Sequence, residues 1–152
     1  TSQGWADRTW ARVLSTILLG PYPLTLCYFH IKPKNMKDFK KLLIWQKAMD
    51  ITDLVFDIYD ELPWQKAAEL KGQSTRAAVS IVSNIAEGNS RKSEKDKHRF
   101  MEMALGSAFE LETQTLVLQR RKWGPKAEVE QILAAIDEEQ KMLVGFMSKL
   151  GR

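Results

Sequence analysis

The chain contains 152 residues, of which 44% are hydrophobic and 28% are charged, with one cysteine and two histidines. This length predicts one ordinary domain, and the composition excludes a disordered chain, a membrane protein and a disulfide framework. The pI of about 9.2 favours a nucleic-acid-binding protein, because an excess of cations is the electrostatic signature of that class.

The first 36 residues differ in character from the rest of the chain. Residues 1–36 carry a net charge of +3, whereas residues 37–152 carry a net charge of +1. Two prolines interrupt the apolar run Val13–Phe29, which argues against a membrane-spanning helix, and no convincing cleavage site supports the alternative of a secretory or lipoprotein signal. We therefore predict a cytoplasmic protein with an extension at 1–36, upstream of a natural start at Met36, and a helical domain at 37–152.

The first predicted helix, at residues 42–62, carries two apolar stripes at helical spacing. One stripe comprises Ile44, Ala48, Ile51, Val55, Ile58 and Leu62, and the other comprises Leu42, Trp45, Met49, Phe56 and Tyr59. Together they form an apolar arc of about 200°, which is wider than a single core seam requires. The arc predicts a second buried surface, most simply with another subunit.

Pro63 is predicted to end this helix, and residues 64–66 are predicted to form the connection to the next. The second helix then runs from residue 67 or 70 to 86 and stops at Gly88. It is rich in alanine and serine, whose small side chains let neighbouring helices approach closely.

Ser90 or Ser93 is predicted to cap a third helix that continues to Arg121, and a helix of ~28 residues is roughly 42 Å long. The pair Gly124-Pro125 separates it from a fourth helix with a clean amphipathic pattern up to Leu150. Because the connections are short, neighbouring helices should run in opposite directions. The sequence predicts an all-α fold, an antiparallel up-and-down four-helix bundle.

Several polar side chains share one side of the second helix, within about 80° of one another. They are Gln73, Arg76, Ser80, Asn84 and Glu87. Glu110 and Glu112 of the third helix are their predicted counterparts, because a carboxylate among apolar residues needs a partner and Arg76 offers a bidentate one. The set is either a recognition stripe or a structural polar seam that fixes helix register or subunit docking, and we favour the structural seam.

Basic residues are concentrated in two clusters near the ends of the third helix. The first cluster comprises Arg91, Lys92, Lys95, Lys97 and Arg99, and the second comprises Arg120, Arg121, Lys122 and Lys126. A ring of parallel subunits would repeat each cluster around one rim and would bind phosphates in a salt-dependent way. Alternatively, these cations only solvate the helix ends, where the second cluster also suits the helix dipole. Both interpretations stay open.

Catalytic and metal-binding patterns are missing from the sequence. There is no pair of Glu-x-x-His motifs for a di-metal centre, no phosphate-binding loop and no nucleophile elbow, and Cys27 has no activating context. We therefore predict no enzymatic activity, no metal, no cofactor and no small-molecule substrate.

Three stretches resemble a known family. Leu43–Met49 reads LIWQKAM, Gln73–Gly88 reads QSTRAAVSIVSNIAEG, and Ala104–Thr113 reads ALGSAFELET, with Ser93 and Phe100 between them. The chain resembles the bacterial four-helix-bundle family first noticed in intervening sequences of 23S rRNA genes. One branch of that family is similar to the accessory variability protein of diversity-generating retroelements. The resemblance covers roughly residues 38–150.

The resemblance implies a fold and an assembly more clearly than an activity. Members of the family are up-down bundles, several form ring-like homopentamers, and the retroelement branch contacts nucleic acid and a reverse transcriptase through a basic surface. We therefore expect a non-enzymatic homo-oligomer, with a pentamer suggested by the resemblance, that associates with RNA, DNA or a nucleic-acid enzyme. The alternative is a self-assembling protein-protein interaction scaffold that does not bind nucleic acid.

Overall fold

The computed structural model describes residues 38–150, apart from the side chains of residues 64–66. The predictions about the extension at 1–36, the start at Met36 and Cys27 lie outside the described residues. The described part begins with a short 3₁₀ turn, Phe39–Lys41, and contains four helices and no strand. The helices are α1 (Leu43–Glu61), α2 (Trp64–Ser90), α3 (Glu94–Arg121) and α4 (Lys126–Lys149).

The limits of α1 and α3 agree with the sequence-based prediction. Ser93 caps α3, and its Oγ accepts a hydrogen bond of 3.3 Å from the backbone N–H of Asp96. The helix contains 28 residues, which makes it about 42 Å long. It ends at Arg121, and the cap residue Lys122 has a left-handed backbone (φ 53°) whose N–H donates to the carbonyl groups of Gln119 and Leu118.

The predicted limits of α2 are wrong at both ends. The helix starts directly after Pro63, so residues 64–66 belong to it, and it continues past Gly88 to Ser90. Gly88 is a point of close approach to α3 and does not stop the helix. A Cβ atom on Gly88 would lie 2.6 Å from Cε of Met101 and 2.9 Å from Cβ of Phe100.

Each helix contacts its neighbour in the chain, and α1 also contacts α4. The most extensive contact joins α2 to α3, and both helices contribute small residues to the buried core. They are Ala77 and Ala78 on α2 and Ala104 and Ala108 on α3. Their burial agrees with the small-residue character predicted for α2.

The two apolar stripes of α1 have different exposures. Five residues of the first stripe are buried, from Ile44 to Ile58, as predicted. In the second stripe Tyr59 is also buried and donates or accepts a 2.8 Å hydrogen bond with Ser74 of α2, while Trp45 is half-buried and Phe56 is 40% exposed. Most residues of the second stripe are buried or half-buried by this chain alone. The width of the apolar arc on α1 therefore does not by itself require another subunit.

The segments that meet at each end of α3 can be identified from local contacts. At its beginning, residues of α2, α3 and α4 line one pocket: Gly88, Asn89, Glu94, Lys97, Met101, Phe146 and Leu150. At its end, another pocket is lined by residues of the α1–α2 connection, of α2 and of the α3–α4 connection: Leu62, Pro63, Ala67, Lys122, Trp123 and Gly124. We refer to these regions as the α2–α3 end and the α3–α4 end, after the connection that lies in each.

None of the helices in the described part of the chain is both long and apolar enough to cross a membrane.

Candidate interaction surfaces

A chain of hydrogen bonds forms the centre of the predicted seam. Asn84 Nδ2 donates to the Ser80 carbonyl (2.9 Å) and to Ser80 Oγ (3.1 Å), and Ser107 Oγ donates to the Met103 carbonyl (3.0 Å). The two serine hydroxyls lie 2.9 Å apart. Either serine hydroxyl can donate in this bond, and the chain of hydrogen bonds ties α2 to α3.

The other members of the predicted seam do not join this chain of hydrogen bonds. Glu87 forms an ion pair with Arg91, which lies one turn later and is the C-terminal cap residue of α2. Gln73 and Arg76 are exposed, and neither forms a hydrogen bond or ion pair within the part of the chain that the structure describes. The sequence placed Ser80 and Asn84 in the seam but missed Ser107, which its spacing with Ala104 and Ala108 on one side of α3 could have revealed.

The carboxylates expected to pair with Arg76 are engaged with amides. Glu110 accepts a 3.0 Å hydrogen bond from Gln114 Nε2 on the same helix, and Glu112 accepts a 2.7 Å hydrogen bond from Gln140 Nε2. The second bond links α3 to α4, on the side of α3 away from the serines. The two glutamates lie two residues apart, so they point about 160° apart and cannot both face α2.

The first basic cluster loses two of its five members as free cations. Lys97 is only 6% exposed, and its ammonium pairs with Glu94. It lies on the buried stripe of α3 one turn before Met101, so it cannot present its charge to a partner. Arg91 pairs with Glu87 and covers the ring of Phe100 at 4.6 Å.

The remaining cations of the first cluster are available to a partner. Lys92, Lys95 and Arg99 are exposed, and none forms an ion pair within the described residues. Lys92 lies in the connection between α2 and α3, and the other two lie in the first turns of α3.

All four cations of the second basic cluster are exposed, and two of them contact other side chains. Arg121 covers the ring of Trp123 at 5.3 Å, and Lys126 lies 3.6 Å from the carboxylate of Glu130. Arg120 and Lys122 are exposed and form no ion pair among the described residues.

A buried carboxyl on α4 was not predicted. Glu139 is 0% exposed, and neither of its side-chain oxygens has a hydrogen-bond partner within the described residues. Burial raises the pKa of Glu139 to about 8, although the nearby Lys47 ammonium of α1 opposes the shift. Its position, three residues after Ile136 and four before Leu143, could have placed it on the apolar stripe.

Lys47 itself forms an ion pair with Glu138, the exposed neighbour of Glu139. The interface of α1 and α4 therefore holds one paired carboxylate at its rim and one unpaired carboxyl inside. No group of three or more metal-ligating side chains occurs among residues 38–150.

Comparison with known proteins identifies relatives of the fold. A family model described as 23S rRNA-intervening sequence protein matches residues 40–145. A crystal structure of a protein of unknown function, from the S23 ribosomal protein family of Bacteroides thetaiotaomicron, matches with a TM-score of 0.63. It is 22% identical and covers 69% of this chain and 98% of its own. No curated protein matches the chain. The range matched by the family model includes both basic clusters and the hydrogen-bonded residues Ser80, Asn84 and Ser107, which we call the serine seam.

Proposed function

The chain belongs to the 23S rRNA-intervening sequence protein family, and from that premise we propose a non-enzymatic, cytoplasmic protein that assembles with itself and associates with nucleic acid. The observation that carries the proposal is the set of exposed cations without acidic partners around the connections of α3. Lys92, Lys95 and Arg99 are the clearest of these. Such cations bind phosphate groups by displacing counterions, without reading a base sequence.

The finer architecture that we propose is an antiparallel up-and-down bundle. Pairs of contacts support it, because their residue numbers run in opposite directions on partner helices. Gly88 approaches Met101, and eight residues earlier Ser80 bonds Ser107. In the same way, Lys47 pairs with Glu138 while Ile58, eleven residues later, approaches Gly124.

Binding of nucleic acid is tested by titrating the protein against RNA and against duplex DNA at several salt concentrations. We expect binding at about 50 mM salt that weakens steeply as salt rises, because each phosphate contact releases counterions. A chain that binds neither nucleic acid at about 50 mM salt contradicts the proposal.

Self-assembly is supported by apolar side chains that the single chain leaves exposed. Four of them lie on α3, between 41% and 52% exposed: Met103, Phe109, Leu116 and Val117. Exposed apolar surface of this kind is typical of a protein-protein interface. We propose a ring-like homo-oligomer, a pentamer by analogy with relatives, whose mass is measured under native conditions.

Arg76 offers a sharper test of that assembly. It is exposed and unpaired within the described chain, so Arg76→Ala should leave the stability of the single chain unchanged. If Arg76 docks subunits, the variant should lower the subunit number, or the assembly should dissociate at a higher protein concentration than the parent. Unchanged melting together with unchanged subunit number rejects the docking role, for which Gln73→Ala is the matched exposed control.

The second candidate function is a self-assembling scaffold without nucleic acid contact. The same exposed apolar residues of α3 favour it, because they offer a surface to a protein partner whether or not the cations bind phosphate. An assembly of defined mass that binds neither RNA nor DNA supports this alternative, and association with a reverse transcriptase would be measured separately with the purified enzyme.

A further inference from the structure

We infer that, within residues 38–150, nucleic acid binds at one end of the helical domain only, the α2–α3 end, and that the α3–α4 end is electrostatically unsuited to it. The inference rests on the proposed function and makes it specific. The fold brings further charged segments to each end of α3, and these segments, added to the two basic clusters, decide the charge of each end.

The α2–α3 end gains cations from two further segments. Leu150 and Phe146 line the same pocket as Gly88 and Asn89, so the end of α4, with exposed Lys149, lies there. The 3₁₀ turn, with exposed Lys40 and Lys41, contacts α2.

The part of α2 that the 3₁₀ turn contacts follows from distance. Tyr59 bonds Ser74, and the turn ends at Lys41, 18 residues before Tyr59, which is roughly 27 Å along α1. From Ser74, the start of α2 is only about 15 Å away, whereas its end at Ser90 is about 24 Å away. The turn must therefore contact the end of α2, beside the connection to α3.

The charge of the α2–α3 end is strongly positive. Its segments 38–42, 87–99 and 146–150 contain eight basic and four acidic residues. Two of the acids, Glu87 and Glu94, are used in ion pairs with Arg91 and Lys97. Six exposed cations then face two acids: Lys40, Lys41, Lys92, Lys95, Arg99 and Lys149 against Asp38 and Asp96.

The α3–α4 end is balanced. Gly124 approaches Ile58 of α1, so the second basic cluster lies beside the acidic last turns of that helix. The segments 57–71 and 118–130 contain six basic and six acidic residues. The acids are Asp57, Asp60, Glu61, Glu69, Glu128 and Glu130.

The consequence for a phosphate chain is a large difference between the ends. Charges within about 10 Å of one another still interact at ~0.1 M salt, so a phosphate near Arg120 also meets the carboxylates around it. A phosphate near Lys92 or Lys95 meets an excess of cations that are already unpaired. Counterion release, and hence affinity, is concentrated at the α2–α3 end.

The test compares two double variants of the full chain that remove the same charge from exposed positions. One is Lys92→Gln with Lys95→Gln, and its matched control is Arg120→Gln with Lys126→Gln. Each is titrated with a labelled single-stranded RNA of about 20 nucleotides and with a duplex DNA, at salt concentrations from about 50 to 200 mM. Circular dichroism establishes that both variants keep the helical content of the parent chain.

We expect the first double variant to weaken binding at least about tenfold and to lower the salt dependence by about two phosphate contacts. The control should change affinity by less than about twofold. Equal losses in the two variants, or a larger loss in the control, overturn the inference while leaving the proposed function standing. A parent chain that binds neither nucleic acid overturns both.

Discussion

Two interfaces of this molecule use buried polar groups in opposite ways. Between α2 and α3, Asn84, Ser80 and Ser107 form a chain in which each side chain has a hydrogen-bond partner. Between α1 and α4, Glu139 is buried without a hydrogen-bond partner among the described residues. A satisfied network fixes the register of two helices at little cost, whereas an unpaired buried carboxyl must give up its charge. The first interface is therefore specified by geometry, and the second depends on pH.

The largest effect should come from the titration of Glu139. In the unfolded chain this carboxyl ionises near its ordinary pKa of 4.5, but in the folded chain its pKa is raised to about 8. Between these values the folded state holds a proton that the unfolded state has lost, so stability falls as pH rises. The slope is at most about 1.4 kcal/mol per pH unit, and it disappears above pH about 8, where both states are ionised. Urea unfolding measured across this pH range checks it.

Glu139→Gln should remove most of that slope, because the amide is neutral at every pH. Glu138→Gln is the matched control: Glu138 is exposed and adds only the smallest contribution to the raised pKa of Glu139, which burial dominates, so its loss should leave most of the slope in place. If Glu139→Gln unfolds with the pH dependence of the parent chain, the two interfaces do not differ in the way described.

The sequence predicted the helices better than it predicted their contacts. Periodicity and capping residues such as Ser93 are local, and they set the limits of α1 and α3 correctly. Whether Gly88 ends a helix or faces Met101 depends on a segment that is distant in the chain, and local signals cannot decide it. The same reasoning explains Lys97, whose charge predicts a surface position although its spacing places it on the buried stripe.

The basic residues of the candidate surfaces could be predicted from the sequence, but the acidic residues that the fold places beside them could not. Both basic clusters are visible in the sequence, yet the acids of α1 that surround the second cluster come from about 60 residues earlier. Only the folded arrangement shows that Arg120 shares its end with Asp60 and that Lys92 shares its end with Lys149. Charge clusters along a sequence therefore become binding surfaces only after the other helices are placed.

A smaller effect is expected at Gly88, where α2 and α3 approach each other closely. Gly88→Ala should lower the free energy of unfolding by about 1–2 kcal/mol, because the new Cβ meets Cβ of Phe100, which cannot rotate away. Gly106→Ala is the matched control on α3, where no atom lies within 4 Å of the new Cβ. It should stabilise by up to about 1 kcal/mol through helix propensity. A Gly88→Ala chain as stable as the control would show that the interface tolerates separation.

The smallest effect should come from the serine seam itself. Ser80→Ala deprives Asn84 of one acceptor and Ser107 of one hydrogen-bond partner, and it should cost about 0.5–1 kcal/mol after the gain in helix propensity. Ser83→Ala, an exposed position on the same helix, should be neutral or slightly stabilising. A double-mutant cycle of Ser80→Ala with Ser107→Ala isolates their bond, which we expect to contribute about 0.5–1 kcal/mol. Strictly additive losses would mean that the two hydroxyls act separately, and the seam would then fix register through packing alone.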